Sequence, residues 1–208
     1  MALVKYNNNS ISDITTAGQV ATGSLVPIKT LTASSSATLS FVHGTDGVVL
    51  DNTYPIYKFE FIDIHPQNND DFMINFTTDG TNFNVTKTTT YFHDYHEEGD
   101  VEAGLTYNAV RDVAQGTGDA YLTHVVGNDN DQSCAGTLTL FNPSSTTFVK
   151  HFISTVHLSE ASNYANTSYV AGYCNTHSAV TGVRFRIQTG NIDAGKIKLY
   201  GIKDSWWA

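Results

Sequence analysis

Apolar and polar side chains alternate along several short stretches of the sequence, most clearly over residues 56–65. Three aromatic residues, Tyr57, Phe59 and Phe61, occupy alternate positions there, and Asp63 follows them on the same side. The positions between carry isoleucine, lysine or glutamate. Because successive side chains of a strand point to opposite faces, this period of two predicts a β-strand whose aromatic face turns toward a core.

Comparable alternation, separated by Gly, Asn, Asp and Ser residues, predicts about eight or nine strands at intervals of roughly 10–20 residues. Residues 72–77 and 83–88 flank the sequence Thr78-Asp79-Gly80-Thr81. Asp-Gly between two alternating stretches predicts a β-hairpin, because Gly80 adopts a positive φ without steric cost. The other predicted strands are residues 37–42, 135–142, 148–157, 169–175, 183–189 and 196–202.

A helical period is not convincing in any stretch of about twelve residues. Residues 97–114 come nearest, but Gly99 and Gly104 interrupt them, so they predict one short helix or turn at most. We therefore expect an all-β protein, an antiparallel β-sandwich of the jelly-roll type with an extended N-terminal arm; another Greek-key sandwich is the alternative. The predicted core residues are Phe59, Phe61, Leu140, Phe152, Phe185 and Leu199.

Two parts of the chain are predicted: an N-terminal arm over residues 1–30, which docks on a partner, and a jelly-roll sandwich over residues 31–208. The arm is polar and carries only scattered aliphatic residues. The alternative is that it forms an edge strand and coil on its own sandwich. Two tryptophans near the C-terminal end either join an interface, where Trp is enriched, or cover the base of their own sandwich. The predicted interface residues are Leu3, Val4, Ile11, Ile14, Trp206 and Trp207.

Composition narrows the class of protein. Of 208 residues, 40% are hydrophobic and 12% aromatic, which is enough for a sizeable core and argues against disorder. The chain has 11 Lys plus Arg and a net charge of −9, so it lacks the basic face that phosphate binding requires, and we expect no nucleic-acid partner. No apolar run approaches the roughly 18 residues of a membrane span, and no classical signal peptide is expected.

The cysteine and histidine positions favour no catalytic or metal site. Cys134 and Cys174 lack the spacing of a zinc site, and free thiols are favoured over a disulfide, which stays open as the alternative. Segment 93–100 contains His93 and His96 among acidic residues, but it matches neither HExxH nor a calcium loop. We expect an exposed acidic loop without a tightly bound metal. Because no catalytic or nucleotide-binding motif occurs either, we predict no enzyme, no cofactor and no catalytic residue.

The resemblance to a known family is carried by five segments: residues 1–6, 54–66, 70–80, 127–143 and 190–202. Together they resemble virion structural proteins of tailed phages from marine and cyanobacterial samples, and residues 1–6 are similar to the N-termini of phage structural proteins. The closing strand, which contains Ile-Lys-Leu-Tyr-Gly at residues 197–201, is the most specific of these motifs. The resemblance implies a protein of the virion, assembled in the host cytoplasm, and it brings no catalytic residues with it.

Two functions follow as expectations from this resemblance. The first is a capsid-surface decoration (cement) protein that forms a homo-oligomer, with a trimer favoured, and that binds other virion proteins such as the major capsid protein. The alternative is a tail-fibre or receptor-binding component that recognises host surface glycans; a polysaccharide-degrading enzyme is least favoured. A glycan binder should expose aromatic residues beside Asp or Asn, and the candidate ligand-facing loop contains Tyr91, Phe92, Asp94 and Tyr95.

Overall fold

Strands make up the regular structure of this protein. The computed structural model describes residues 25–204, and within that range it contains thirteen β-strands and no helix. The strands are β1 (Leu25–Thr32), β2 (Leu39–Val42), β3 (Ile56–Pro66), β4 (Phe72–Thr77), β5 (Lys87–Glu97), β6 (Ala103–Tyr107), β7 (Val113–Gly116), β8 (Ala120–Tyr121), β9 (Cys134–Phe141), β10 (Lys150–Ser159), β11 (Tyr164–Cys174), β12 (Gly182–Ile187) and β13 (Ile192–Ile202).

The strands form two antiparallel sheets that pack face to face, so the predicted all-β sandwich is confirmed. The large sheet has the order β1-β13-β3-β9-β10-β11-β5-β6, with β7 also paired to β5. The small sheet has the order β2-β12-β4-β8. Five strands of the large sheet, β10, β11, β5, β6 and β7, continue it beyond β9, and we call these five strands the wing.

Phenylalanine rings join the two sheets at the centre of the core. The ring centroid of Phe185 on β12 lies 5.3 Å from that of Phe59, 5.2 Å from that of Phe61 and 5.7 Å from that of Phe72. Phe59 and Phe61 belong to β3 of the large sheet, whereas Phe72 and Phe185 belong to the small sheet. The predicted core is confirmed, because all six of its members are buried: Phe59, Phe61, Leu140, Phe152, Phe185 and Leu199.

Strand β3 departs from strict alternation at Asp63, which has a φ of 50°. The pairing of β3 with β9 shifts register between Phe61 and Ile64, as a β-bulge does. Ile64 therefore continues the buried face while Asp63 is exposed, the reverse of the predicted alternation. Gly195 on β13 lies against this bulge, and a Cβ there would sit 2.4 Å from the Asp63 carbonyl oxygen, so the close approach requires glycine.

The predicted hairpin at residues 78–81 is wrong. Gly80 does have a φ of 78°, but β4 ends in the small sheet and β5 begins in the large sheet, so the turn starts a crossover between layers. Both faces of β4 are buried, and its two edges already pair with β12 and β8. β8 covers only Met73 and Ile74 on its edge of β4, and beyond them a single backbone hydrogen bond, from Val85 N–H to the Phe76 carbonyl, links residues 83–86 to β4. These residues form no strand.

Two further segments differ from the expectations. Residues 97–114 form no helix; β6 and β7 lie there instead, because both pair with the edge of β5. Residues 25–30, the end of the predicted N-terminal arm, form most of β1 and pair with β13, so they belong to the sandwich. The rest of the predicted arm, through residue 24, lies outside the described residues.

Candidate functional site

The predicted site residues fall into two groups. Tyr91, Phe92, Asp94 and Tyr95 lie within strand β5, so their placement in a loop is wrong. Since β5 pairs with β11 on one side and with β6 and β7 on the other, its alternation divides the four residues between opposite faces of the wing. The interface residues predicted at the chain ends lie outside the described residues: Leu3, Val4, Ile11, Ile14, Trp206 and Trp207.

The solvent side of the wing carries exposed apolar side chains. Phe92 stacks on Tyr169 of β11 with ring centroids 5.0 Å apart, and it pairs in register with Tyr107 of β6. Leu105, Tyr107 and Ile153 are 69%, 53% and 54% exposed. Residues opposite each other on neighbouring strands share a face, so these side chains form one surface. We call Phe92, Leu105, Tyr107, Ile153 and Tyr169 the outer apolar face.

Asp94 lies within this same surface and is held by its neighbours. Its carboxylate accepts hydrogen bonds from the Tyr169 hydroxyl at 3.0 Å and from the Thr167 backbone N–H at 3.1 Å. The hydrogen bond to Asp94 raises the pKa of Tyr169, and the negative charge of Asp94 adds to this effect. Asp94 therefore acts within the sheet, as an acceptor for the adjacent strand.

The opposite, inner side of the wing turns from apolar to polar as β5 proceeds. Tyr91 is fully buried, and its hydroxyl lies 2.7 Å from the Ser168 hydroxyl. The next two residues of β5 on this same face, His93 and Tyr95, border a pocket of about 260 Å³. We call it the histidine pocket; its lining residues are His93, Tyr95, Glu102, His124, Glu160, Ser162, Tyr164 and Asn166.

Two tyrosines and a glutamate form one wall of the histidine pocket. The rings of Tyr95 and Tyr164 meet edge to face with centroids 6.0 Å apart. Both hydroxyls donate to the Glu102 carboxylate, at 3.4 and 3.3 Å. Glu102 thus links the two hydroxyls through long hydrogen bonds at the exposed rim of the pocket.

Two histidines and a second glutamate form another wall. The His93 and His124 rings stack with centroids 5.1 Å apart, and His124 Nδ1 lies 3.1 Å from a carboxylate oxygen of Glu160. Burial lowers the pKa of His93, and the neighbouring His124 and Arg111 lower it further. His93 is therefore an uncharged imidazole at neutral pH, beside a carboxylate.

Asn166 is the most deeply buried polar side chain of the pocket, at 1% exposure. Neither its amide nitrogen nor its amide oxygen has a hydrogen-bond partner, and the Nδ1 atom of His93 has none either. A buried polar group without a partner is unusual in a folded protein, because it has lost its bonds to water without replacing them. The pocket thus offers open donor and acceptor positions at its base.

The two cysteines lie at opposite ends of β10, with Cys134 opposite Leu158 and Cys174 opposite Lys150. Cys134 and Cys174 are buried free thiols, so the favoured prediction is confirmed. Cys174 pairs in register with Lys150 of β10 and with Lys87 of β5. Burial raises the pKa of Cys174 to about 12 although the two lysines oppose the shift, so the thiol stays protonated and is a poor nucleophile. Burial also lowers the pKa of Lys87 to about 8.

Sequence reasoning found only part of the histidine pocket. It singled out His93 and Tyr95 because they lie in a dense polar segment, but it missed His124, Glu160 and Asn166. These three come from the segment after β8, the residue after β10 and the beginning of β11, and only sheet pairing brings them together. The alternation of Asn166 and Ser168 on a buried face was the one local signal, since it places polar residues where apolar ones are expected.

Residues 25–204 contain neither a cluster of metal-binding side chains nor a helix that could cross a membrane. No group of three or more His, Cys, Asp or Glu side chains there could hold a metal ion. His96 near the end of β5 lies instead beside Asp100 in the following turn, with 3.1 Å between the ring Nε2 and a carboxylate oxygen, and both side chains are exposed. No helix in the described part of the chain is long and apolar enough to cross a membrane.

Comparison with known proteins identifies no relative. No family model matches this chain, and no curated protein or solved structure matches it either.

Proposed function

We propose that this protein is a non-enzymatic structural protein of a tailed-phage virion that decorates the capsid surface as a cement protein. The observation that carries the proposal is the outer apolar face of the wing. Exposed apolar side chains that are contiguous, rather than scattered singly, are typical of protein interfaces. Here Leu105, Tyr107 and Ile153 are each more than half exposed on one sheet surface.

The edge of the wing adds a second means of association. Among the described strands β6 pairs only with β5, so its other edge presents free backbone donors and acceptors. Leu105 and Tyr107 are on this same strand. A second copy could cover the apolar side chains and use the backbone edge together, which supports the homo-oligomer, with a trimer favoured, and contact with other virion proteins such as the major capsid protein.

The strand order supports a jelly roll as the frame of this particle protein. β1-β13-β3-β9 and β2-β12-β4-β8 are two antiparallel sets of four strands, and the chain alternates between them at β1 to β2, β2 to β3 and β3 to β4. Two interleaved four-stranded sheets of this kind are typical of jelly rolls, which occur in viral capsid proteins and in lectins. The wing is then made of two insertions, one between β4 and β8 and one between β9 and β12.

Oligomerisation through the wing is tested by Leu105→Asp, because a carboxylate on the outer apolar face should oppose burial. We expect the wild type to sediment as an oligomer and this variant to sediment as a monomer with an unchanged β-rich circular dichroism spectrum. Val110→Asp is the matched control, since Val110 is 82% exposed but lies outside that face. A monomeric wild type, or an oligomer that tolerates Leu105→Asp, would contradict the proposed interface.

Attachment to the particle is tested separately, with the segment proposed to dock. We expect deletion of residues 1–23 to leave the melting temperature nearly unchanged and to abolish binding to undecorated capsids, as measured by co-sedimentation. Four aliphatic side chains could supply roughly 6–12 kcal/mol before ordering costs, so several copies acting together are needed for tight attachment. Full occupancy by the truncated protein would rule out the arm as the docking element.

Glycan recognition by a tail-fibre or receptor-binding component is the second candidate function. The histidine pocket favours it, because a cement protein needs no pocket lined by Tyr95, Tyr164 and unpartnered amide atoms of Asn166. Fold alone does not choose between the two, since jelly rolls serve both. Labelling the chain in intact particles by immunogold electron microscopy distinguishes them: signal over the head supports the cement protein, and signal at the tail tip supports the receptor binder.

A further inference from the structure

We propose that the histidine pocket is a binding site for one neutral sugar unit of a glycan. The inference rests on the second candidate function and gives it a location and a ligand class. It rests on the glycan-recognition part of that function and not on the position of the chain in the particle.

The first argument is the unmet hydrogen-bonding capacity at the base of the pocket. Asn166 is 1% exposed and His93 is 7% exposed, yet both amide atoms of Asn166 and the Nδ1 atom of His93 lack partners. An apolar residue at position 166 would fill the same strand position without this cost in free energy. Side chains that keep open donors and acceptors under such conditions are suited to a ligand that supplies both.

The second argument is the pairing of donors with acceptors around the pocket. The Asn166 amide offers a donor nitrogen and an acceptor oxygen, and the Glu160 carboxylate offers acceptors. The Ser162 hydroxyl can both donate and accept a hydrogen bond. Sugar hydroxyls also donate and accept at once, so they match a wall of mixed polarity. A ligand with donors only or acceptors only would leave part of this wall unpaired.

Charge excludes two other ligand classes. Glu102 and Glu160 place two carboxylates on the rim and wall, and burial together with the nearby His124 and Arg111 lowers the pKa of His93, which keeps it uncharged. Phosphate and other anions are therefore repelled. Metal cations are not favoured either, because no group of three or more His, Cys, Asp or Glu among residues 25–204 could hold one.

The third argument is the aromatic wall. Tyr95 and Tyr164 meet edge to face, and both hydroxyls donate to Glu102. A tyrosine ring has few rotatable bonds, so it loses little conformational freedom on binding, and it offers an apolar surface to the C–H side of a sugar ring. A volume of about 260 Å³ is at the small end for ligand pockets, which suits one sugar unit rather than a long chain.

The experiment is a titration of the purified full-length protein with neutral sugars, followed by ¹H–¹⁵N NMR. The probes are glucose, galactose, N-acetylglucosamine, maltose and cellobiose, with glucuronate and sialic acid as anionic comparisons. We expect at least one neutral sugar to shift the side-chain amide signal of Asn166 and to bind at least tenfold more tightly than either anionic sugar. Absence of any such shift at tens of millimolar sugar would overturn the proposal, as would tighter binding of the anionic sugars.

Two variants separate a ligand role from a structural role. Asn166→Leu should weaken sugar binding at least tenfold while leaving the protein as stable as the wild type or more stable, because the unpaired amide is removed. If Asn166 serves only the fold, that variant loses stability and the sugar affinity of its folded fraction is unchanged. Glu102→Gln should also weaken binding, and Glu98→Gln, an exposed neighbour outside the pocket, is its matched control.

Failure of this proposal can be told apart from failure of the glycan-recognition function as a whole. If the intact particle binds host glycans while the Asn166→Leu particle binds them equally well, recognition lies elsewhere and the histidine pocket is excluded. If the purified protein binds a neutral sugar through Asn166 but immunogold signal lies over the head, the pocket stands and the receptor-binding role falls.

Discussion

Replacing Phe185 with alanine should remove the side chain that contacts most of the aromatic core. Its ring is fully buried and lies 5.3, 5.2, 5.7 and 6.3 Å from the ring centroids of Phe59, Phe61, Phe72 and Phe41. Three of these contacts are edge to face and the one with Phe72 is stacked. The neighbours come from both sheets, so the cavity would lie between the layers.

The magnitude follows from burial and from the ring contacts. A Phe→Ala change in a core costs about 3–5 kcal/mol of unfolding free energy, and aromatic pairs add about 0.5–1.5 kcal/mol each beyond their area. With four aromatic neighbours held on two paired sheets, collapse of the cavity is restricted, and we expect a loss of about 4–5 kcal/mol. That is a large share of the roughly 5–15 kcal/mol that stabilises a typical domain.

Urea denaturation followed by far-UV circular dichroism measures this loss of unfolding free energy directly. Phe148→Ala is the matched control, because the same side chain is 70% exposed there and should change the unfolding free energy by less than about 0.5 kcal/mol. A loss below about 2 kcal/mol for Phe185→Ala would refute the argument that this ring joins the two sheets.

Two further predictions concern buried charge. The Asp119 carboxylate accepts hydrogen bonds from Arg186, Arg184 and Asn75, and although burial alone raises its pKa, these bonds outweigh it and the net pKa is lowered. Asp119→Asn should lower the unfolding free energy by about 2–3 kcal/mol, less than for a fully buried ion pair because both arginines are partly exposed. The difference in unfolding free energy from wild type should be constant above about pH 4 and should shrink as the pH falls through the lowered pKa of Asp119. A difference that grows on acidification would contradict this. Burial lowers the pKa of Lys87 from 10.5 to about 8, so the unfolded state binds the proton more tightly between those values and the wild-type unfolding free energy should gain a rising contribution there. Lys87→Met should lack that contribution when the two proteins are compared by denaturation at pH 7, 9 and 10.5, and parallel profiles would show that Lys87 keeps its ordinary pKa.

Local alternation was sufficient to predict strands and buried faces, because both depend on neighbouring residues. In β3 it predicted that Phe59 and Phe61 are buried, and they are. It failed two residues later, where the bulge at Asp63 reverses the faces. That bulge depends on Gly195 of β13, which is more than a hundred positions away in the sequence, so no local pattern contains it.

Which strands pair with each other was harder to predict, because strand pairing also depends on residues far apart in the sequence. Gly80 in the Asp-Gly turn at residues 79–80 has the expected positive φ, yet the chain after it leaves β4 after one backbone hydrogen bond and continues into β5, which pairs with β11 in the other sheet. The histidine pocket likewise depends on register: Asn166 meets Tyr95 across two strands, and His93 stacks on His124 from another segment. Nothing in the sequence immediately around any of these residues indicates that they meet in one pocket.

The pairing of β1 with β13 determines when the chain can fold during synthesis. Leu25 lies opposite Ile202, and among the described strands β1 has no other partner; β2 likewise depends on β12. The ribosome therefore releases β1 and β2 long before the strands that complete their hydrogen bonds exist. Both layers close only after the last described strands have emerged, so we expect a slow, post-translational folding step dominated by distant contacts, during which the unpaired early strands depend on chaperones to avoid association with one another.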